Sequence, residues 1–214
     1  MQLKNHIKQF LEVLGLWYPL NFTRTVPVIL KWLMTGCCGV TPHPIKMMII
    51  YFYLKKFSIK EFVETGTYLG ETLGYIAKNG VKCISIELSR PLYEAADHKF
   101  RRNQNIQLIQ GDSSVKLPNL LKEINRPVLF WLDGHWSGGS TACAETHTPI
   151  STELSAILNH TIKEHVILID DARCFDGRNG YPHLDELLYV IRQEGFYNTE
   201  VSADIVRLTP RANS

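Results

Sequence analysis

Carboxylates in this chain of 214 residues recur directly after short apolar runs. Phe62-Val63 leads into Glu64, Cys83-Ile84-Ser85-Ile86 into Glu87, and Ile109-Gln110-Gly111 into Asp112 followed by Ser113. Phe130-Trp131-Leu132 leads into Asp133, and Val166-Ile167-Leu168-Ile169 into Asp170-Asp171. If the runs are strands of one sheet, the acids gather at its carboxyl ends, where ligands of such sheets bind. Glu87 at the second strand end can accept both hydroxyl protons of a ribose, a bidentate task no neutral side chain does as well. A solvated strand-end glutamate is the plain alternative. Asp112 can accept from the exocyclic amine of an adenine, with Ser113 or its backbone beside it, and can equally cap the helix that follows. Asp133, Asp170 and Asp171 repel one another unless protonated or bridged by a cation. An all-oxygen donor set suits Mg²⁺, which keeps several waters and leaves room for substrate oxygens. Against that stands a structural reading, in which one aspartate caps a helix and another pairs with Arg173 or Arg178.

The stretch from Phe62 to Thr72 carries Gly66 and Gly70 four residues apart, then a helical pattern through Thr72, Leu73, Ile76 and Ala77 that stops at Gly80. Strand, tight turn and helix start make a corner where a ligand can lie against backbone. The spacing does not match the dinucleotide pattern G-x-G-x-x-G, and glycines at such a corner also serve helix packing. Between Asp133 and Thr148 runs a loop rich in glycine, serine and threonine, suited to a lid. It holds His135 and His147, either of which can take a proton from a substrate or simply face water. The turn Gly177-Arg178-Asn179-Gly180-Tyr181 follows the fifth strand and can shape a substrate pocket. Arg173 and Arg178 can bind an anionic group there or neutralise the aspartates.

The elements that must position these residues alternate. Strands are expected at 61–63, 83–86, 106–109, 128–132 and 166–169. Helices are expected near 70–79, 91–101, 114–125, 149–160 and 183–194, with a closing hairpin from Phe196-Tyr197 and Asp204 to Leu208. Such alternation argues an α/β fold, a doubly wound and mostly parallel sheet with right-handed crossovers. Ser89-Pro91 and Thr148-Pro149 read as helix starts with hydroxyl caps. Residues 1–57 read as helices added to that fold, a cap or an oligomer interface, separated by the Gly36 to Pro44 linker. The aromatic residues Trp17, Tyr18, Trp32 and Tyr51-Phe52-Tyr53 suit core packing, with a membrane surface or a second subunit as alternatives. A net charge of +2 gives no nucleic-acid footprint. Five cysteines without a C-x-x-C pair point to a reducing cytoplasm rather than a disulfide framework. Adjacent Cys37 and Cys38, with no partners nearby in sequence, make a poor metal site. No secretory leader is read at the start, and no apolar run approaches the roughly 20 residues of a spanning helix.

Taken together, Glu64-Thr65-Gly66-Thr67-Tyr68-Leu69-Gly70, Glu87, Gly111-Asp112, Leu132-Asp133-Gly134-His135-Trp136 and Ile169-Asp170-Asp171 resemble class I S-adenosylmethionine-dependent methyltransferases. Within that group the pattern is similar to the sugar-modifying branch that includes macrocin-type O-methyltransferases. It also resembles catechol-type enzymes, whose fourth- and fifth-strand acids hold Mg²⁺. The similarity spans roughly residues 58–209. It implies a seven-stranded Rossmann-like methyltransferase fold over 58–214. It also implies S-adenosylmethionine as cofactor, with Glu64 and Gly66 near its methionine half and Tyr68 and Gly70 in the same corner. Glu87 is then placed on the ribose, Asp112 and Ser113 by adenine, and Asp133, Asp170 and Asp171 on Mg²⁺. Catechol-type enzymes carry a basic residue three places after the fourth-strand acid, where this chain has Trp136; His135 or His147 is the base expected instead, with Asp133 serving catalysis through the metal. The expected activity is metal-assisted O-methylation of a sugar, glycan or glycosylated small molecule. An N-methyltransferase, a hydroxylase relative and a non-catalytic scaffold are the alternatives.

Overall fold

The computed structural model describes residues 22–37, 39–133, 148–178 and 180–211, with backbone alone for 22–25. Seven strands form one sheet: β1 Glu61–Thr65, β2 Lys82–Glu87, β3 Ile106–Gln110, β4 Leu129–Leu132, β5 Val166–Ile169, β6 Tyr197–Ser202 and β7 Ile205–Pro210. The helices are α1 Phe22–Met34, α2 His43–Lys56, α3 Glu71–Lys78, α4 Arg90–Phe100, α5 Ser113–Leu121, α6 Ile150–Leu158 and α7 Leu184–Glu194. The strand order is β3-β2-β1-β4-β5-β7-β6. β1 to β5 run parallel, and β7 joins β5 antiparallel with β6 as its hairpin partner. This is a doubly wound, Rossmann-like methyltransferase fold whose order reverses between β1 and β4.

Side chains alternate across a strand, so each central strand feeds two cores. Val63, Ile84, Phe130, Leu132, Ile167 and Ile169 meet α5, α6 and α7 on one face. Phe62, Cys83, Leu129, Trp131, Val166 and Leu168 meet α2, α3 and α4 on the other. Because both faces are covered, the strands read as continuous apolar runs rather than alternating ones.

The helix α2 owes its place to apolar residues at helical spacing. Met47, Ile50, Tyr51 and Leu54 form a stripe that is buried with Phe62 and Trp131. Of the aromatic run, Tyr51 and Tyr53 are interior and Phe52 is exposed. Tyr51 also meets Tyr75 of α3 edge to face at 6.2 Å. Trp17 and Tyr18 lie outside the described residues. No described helix is long and apolar enough to cross a membrane. Cys37, Cys83 and Cys174 are free thiols.

The expected hydroxyl caps are not formed. Ser89 precedes α4 without a side-chain cap bond, and α6 starts after Pro149. The Ser89 amide instead donates to Glu87 Oε1 at 2.8 Å, and the Thr148 hydroxyl reaches Gly180 O at 3.5 Å. In α4 a proline in the first turn removes one of the amides a cap would satisfy.

At the amino ends of β4 and β5 lies a polar chain that fixes its own protons. The Val128 amide donates to His165 Nδ1 at 3.1 Å, so His165 carries its proton on Nε2. That proton goes to His160 Nδ1 at 2.9 Å, and His160 Nε2 donates to Leu121 O at 3.0 Å. The His165 ring is therefore neutral. Burial, followed by the neighbouring His160, pushes His165 down to about 4. An unfolded histidine titrates near 6.5, so between the two values the unfolded chain binds the extra proton. The stability that neutral His165 contributes is present above the unfolded value and is lost as pH falls from there toward 4. Thermal unfolding followed by circular dichroism should show Tm dropping across that window. His160→Ala, which strands the His165 Nε2–H, should cost about 1–3 kcal/mol at neutral pH in denaturant titrations.

Candidate functional site at the carboxyl ends of the sheet

Parallel register brings the ends of four strands level. Thr65 pairs with Ile86 and with Leu132, and Leu132 with Ile169. The acids that follow those strands therefore gather around the point where the order reverses. A cleft of about 300 Å³ opens there, lined among others by His43, Glu64, Gly66, Tyr68, Trp131 and Asp133.

The corner after β1 is built on unusual backbone. Gly66 has φ +88°, and a Cβ on it would stand 3.2 Å from the Asp133 carbonyl oxygen. Gly70 has φ +65°, and a Cβ there would stand 2.6 Å from the Phe100 ring. Gly70 thus admits α4 against α3, as Gly66 admits the Asp133 backbone. Tyr68 is left-handed without being glycine, at φ 49°, and its ring is exposed. Its amide donates to Glu87 Oε2 at 2.9 Å, and the Ser89 amide holds Glu87 Oε1. Two backbone donors thus aim a buried Glu87 at the corner.

Glu64 is 1% exposed. Its Oε1 accepts from the Ser85 hydroxyl at 2.7 Å, and Ser85 meets Thr67 at 2.6 Å. Burial first, then Asp133 and Glu87, push Glu64 up to about 8 against the Ser85 bond. It is a neutral carboxyl poised to ionise when positive charge arrives. Across the sheet, Asp112 caps α5, accepting from the Ser114 amide at 2.8 Å and hydroxyl at 2.7 Å. Ser113 opens that helix. The Ser113 hydroxyl and that of Thr65 face Glu153 of α6 without reaching hydrogen-bond geometry. Glu153 is fully buried, and burial raises it to about 7.

Asp133, Asp170 and Asp171 do converge: one oxygen from each lies within 4.8 Å of the others. The Asp170 amide bonds the Leu132 carbonyl at 3.0 Å, tying the two strand ends. Asp171 is left-handed, at φ 55°, a strain typical of functional sites. Lys46 of α2 reaches into this cluster. Its Nζ lies 2.5 Å from Asp170 Oδ2 and 3.3 Å from Asp171 Oδ1. Arg173 Nη1 donates to Asp171 Oδ1 at 2.6 Å and also pairs with Asp204. Burial opposes the Lys46 charge, yet the pull of Asp170, the hydrogen bond to it, and then Asp171 and Asp133 leave its pKa raised. Burial likewise raises Asp170, with Lys46 acting against it.

Of the sequence-predicted site residues, Glu64, Gly66, Tyr68, Gly70 and Asp133 border the cleft and Glu87 grips its corner. Asp112 and Ser113 stand at the start of α5, near the end of β3. His135 and His147 lie outside the described residues, as does Trp136. Arg173 pairs with the cluster, whereas Arg178 stands 3.9 Å from Asp176. The sequence reading missed His43, Lys46 and Glu153. His43 lines the cleft one helical turn before Lys46, its Nε2 3.0 Å from the Thr72 hydroxyl. Burial, against the pull of Glu71 whose Oε2 lies 3.5 Å from Nδ1, lowers its pKa.

No protein-family profile matches the chain, and no curated protein does. Solved structures match it in fold. An O-methyltransferase from Bacillus cereus in complex with SAH (S-adenosylhomocysteine) superposes with TM-score 0.59 at 12% identity, covering 95% of this chain and 97% of that one. The SAH-bound methyltransferase PaMTH1 from Podospora anserina gives 0.58 at 13% identity, over 85% and 86%. A methyltransferase from Geobacter sulfurreducens gives 0.57 at 14%, over 97% and 96%.

Glu64 makes a pH signature of its own. Its folded value of about 8 stands above that of an exposed glutamate near 4.3. The stability of the neutral form is fully present below the unfolded value and is lost as pH rises through about 8. Glu64→Gln, which keeps a neutral group on the Ser85 hydroxyl, should therefore raise Tm relative to the parent chain at pH 8 and not at pH 4. Scanning fluorimetry at the two pH values reads the difference.

Proposed function

We propose that this chain is an S-adenosylmethionine-dependent O-methyltransferase acting on a hydroxyl of a sugar, glycan or glycosylated small molecule. The observation that carries the reading is the pairing of Glu87, held by two amides at the glycine corner, with three aspartates at the neighbouring strand ends. The first is a place for an adenosine ribose; the second is a place where an acceptor oxygen can be made acidic. Solved methyltransferases of the same fold carry SAH, which supports the cofactor. The sugar class rests on the sequence resemblance. The acid cluster favours a hydroxyl over an amine acceptor, because a neutral amine attacks through its lone pair whereas a hydroxyl gains from being made more acidic.

The cofactor supplies a methyl group already activated on a positive sulfur. Glu64 and Gly66 would border its methionine half, Glu87 its ribose, and Asp112 with Ser113 its adenine. A buried Glu64 ionises most readily next to such a positive charge, so the corner selects a cation without a standing negative charge. Asp133, Asp170 and Asp171 fit Mg²⁺ in donor chemistry and mutual distance. The ion, held there, would lower the pKa of an acceptor hydroxyl. His43, neutral and facing the cleft, can take that proton. His135 and His147 are further bases in the loop that follows Asp133. The backbone corner and Trp131 wall the cleft in which acceptor and methyl would have to be held in line, an alignment worth up to about 7–11 kcal/mol.

Calorimetry with SAH, and methyl transfer to a panel of nucleotide sugars and glycosides, test the reading. Glu87→Ala should weaken SAH by about 1–3 kcal/mol. Asp133→Asn should leave SAH affinity unchanged and lower the transfer rate at saturating cofactor. His43→Ala should lower that rate about 10²-fold, and in the parent enzyme activity should fall on acidification below the ordinary histidine value. No SAH binding to the parent chain would end the proposal.

A further inference from the structure

We propose that the Lys46 ammonium is the resident cation of the Asp133–Asp170–Asp171 cluster, and that a divalent ion enters this cluster only as Lys46 leaves it. The inference rests on reading the cluster as a cation site, not on methyl transfer itself. Lys46 bridges Asp170 Oδ2 at 2.5 Å and Asp171 Oδ1 at 3.3 Å, on the side of the cluster that faces α2. The lysine side chain is 12% exposed and the two aspartates 3%, so little solvent separates the charges. Two cations cannot share a carboxylate oxygen at contact distance in such surroundings without strong repulsion.

The charge balance leads to the same conclusion. Among the described residues, Lys46 pairs with Asp170 and Asp171, and Arg173 is divided between Asp171 and Asp204. Without Lys46 the oxygens of Asp170 would be left with no cation beside them among the described residues. With Lys46 in place, one oxygen of Asp170 and one of Asp171 already accept from an ammonium, and a hard divalent ion that needs those oxygens must displace it. Lys46 sits on α2, whose buried stripe of Met47, Ile50, Tyr51 and Leu54 packs on the sheet. Its withdrawal therefore removes a tether between the strand ends and the first turn of α2, which also carries His43 into the cleft. The lysine thus couples the cation state of the cluster to the wall of the cleft.

The test is a titration of the full chain with Mn²⁺ alone, without cofactor or acceptor, read by calorimetry and by the metal's paramagnetic resonance. Failure of the methyltransferase reading leaves this measurement untouched. Lys46→Met, which keeps the length and loses the charge, should bind Mn²⁺ at least about tenfold more tightly than the parent chain. Its Tm should be lower without metal and rise more on Mn²⁺ addition than that of the parent. Equal affinity in the two proteins, or no Mn²⁺ binding by Lys46→Met, overturns the inference. If Lys46→Met does not fold, hydrogen exchange of the parent chain decides. Saturation with Mn²⁺ should speed exchange of the amides early in α2, and tight Mn²⁺ binding with α2 exchange unchanged overturns the proposal.

Discussion

Repulsion among three carboxylates at adjacent strand ends is the constraint to which this structure answers. Parallel pairing of Leu132 with Ile169 sets Asp133 and Asp170 side by side, and the left-handed Asp171 turns a third acid inward. No residue of those strands can relieve the charge, because their other side chains form the two cores. Relief comes from outside the parallel strands. Lys46 arrives from α2, and Arg173 joins Asp171 to Asp204 of the β6–β7 turn. Thr41, donating to the Ala203 carbonyl, ties the approach to α2 to the same turn. One electrostatic problem thus links α2, the middle of the sheet and its antiparallel edge.

The same arrangement makes α2 a working part of the site. Its apolar stripe covers one face of the sheet, and its first turn presents His43 and Lys46 to the carboxyl ends. Packing fixes the height at which those two side chains emerge, since Met47 and Ile50 follow within a turn of Lys46. Burial energy spread over many contacts therefore positions a few charged atoms to within hydrogen-bond distance.

Around the cleft, burial has raised the affinity of acids for protons rather than leaving them charged. Glu64 and Glu153, on opposite faces of β1, stand well above ordinary glutamates, and desolvation leads in both. A group so raised gives up its proton more readily when a cation comes close. Glu87, at the end of the neighbouring strand, takes a backbone amide on each of its oxygens.

The sequence by itself determined the strands, their acidic ends and the fold class. Apolar runs bounded by turn residues are local signals, and Val166–Ile169 is a strand over the very residues expected. The acids were legible for the same reason: an acid that ends an apolar run marks a strand's carboxyl end. Tertiary structure alone decided who answers those acids. Lys46 and Asp170 are 124 residues apart, and a lysine in the first turn of α2 reads as solvated surface. Glu153 sits in a mostly apolar helix with nothing local to show that it faces Thr65 across the sheet. Gly70 has its reason in the Phe100 ring of the next helix. In each case the deciding energy is a contact between distant parts of the chain, which has no signature in the residues on either side.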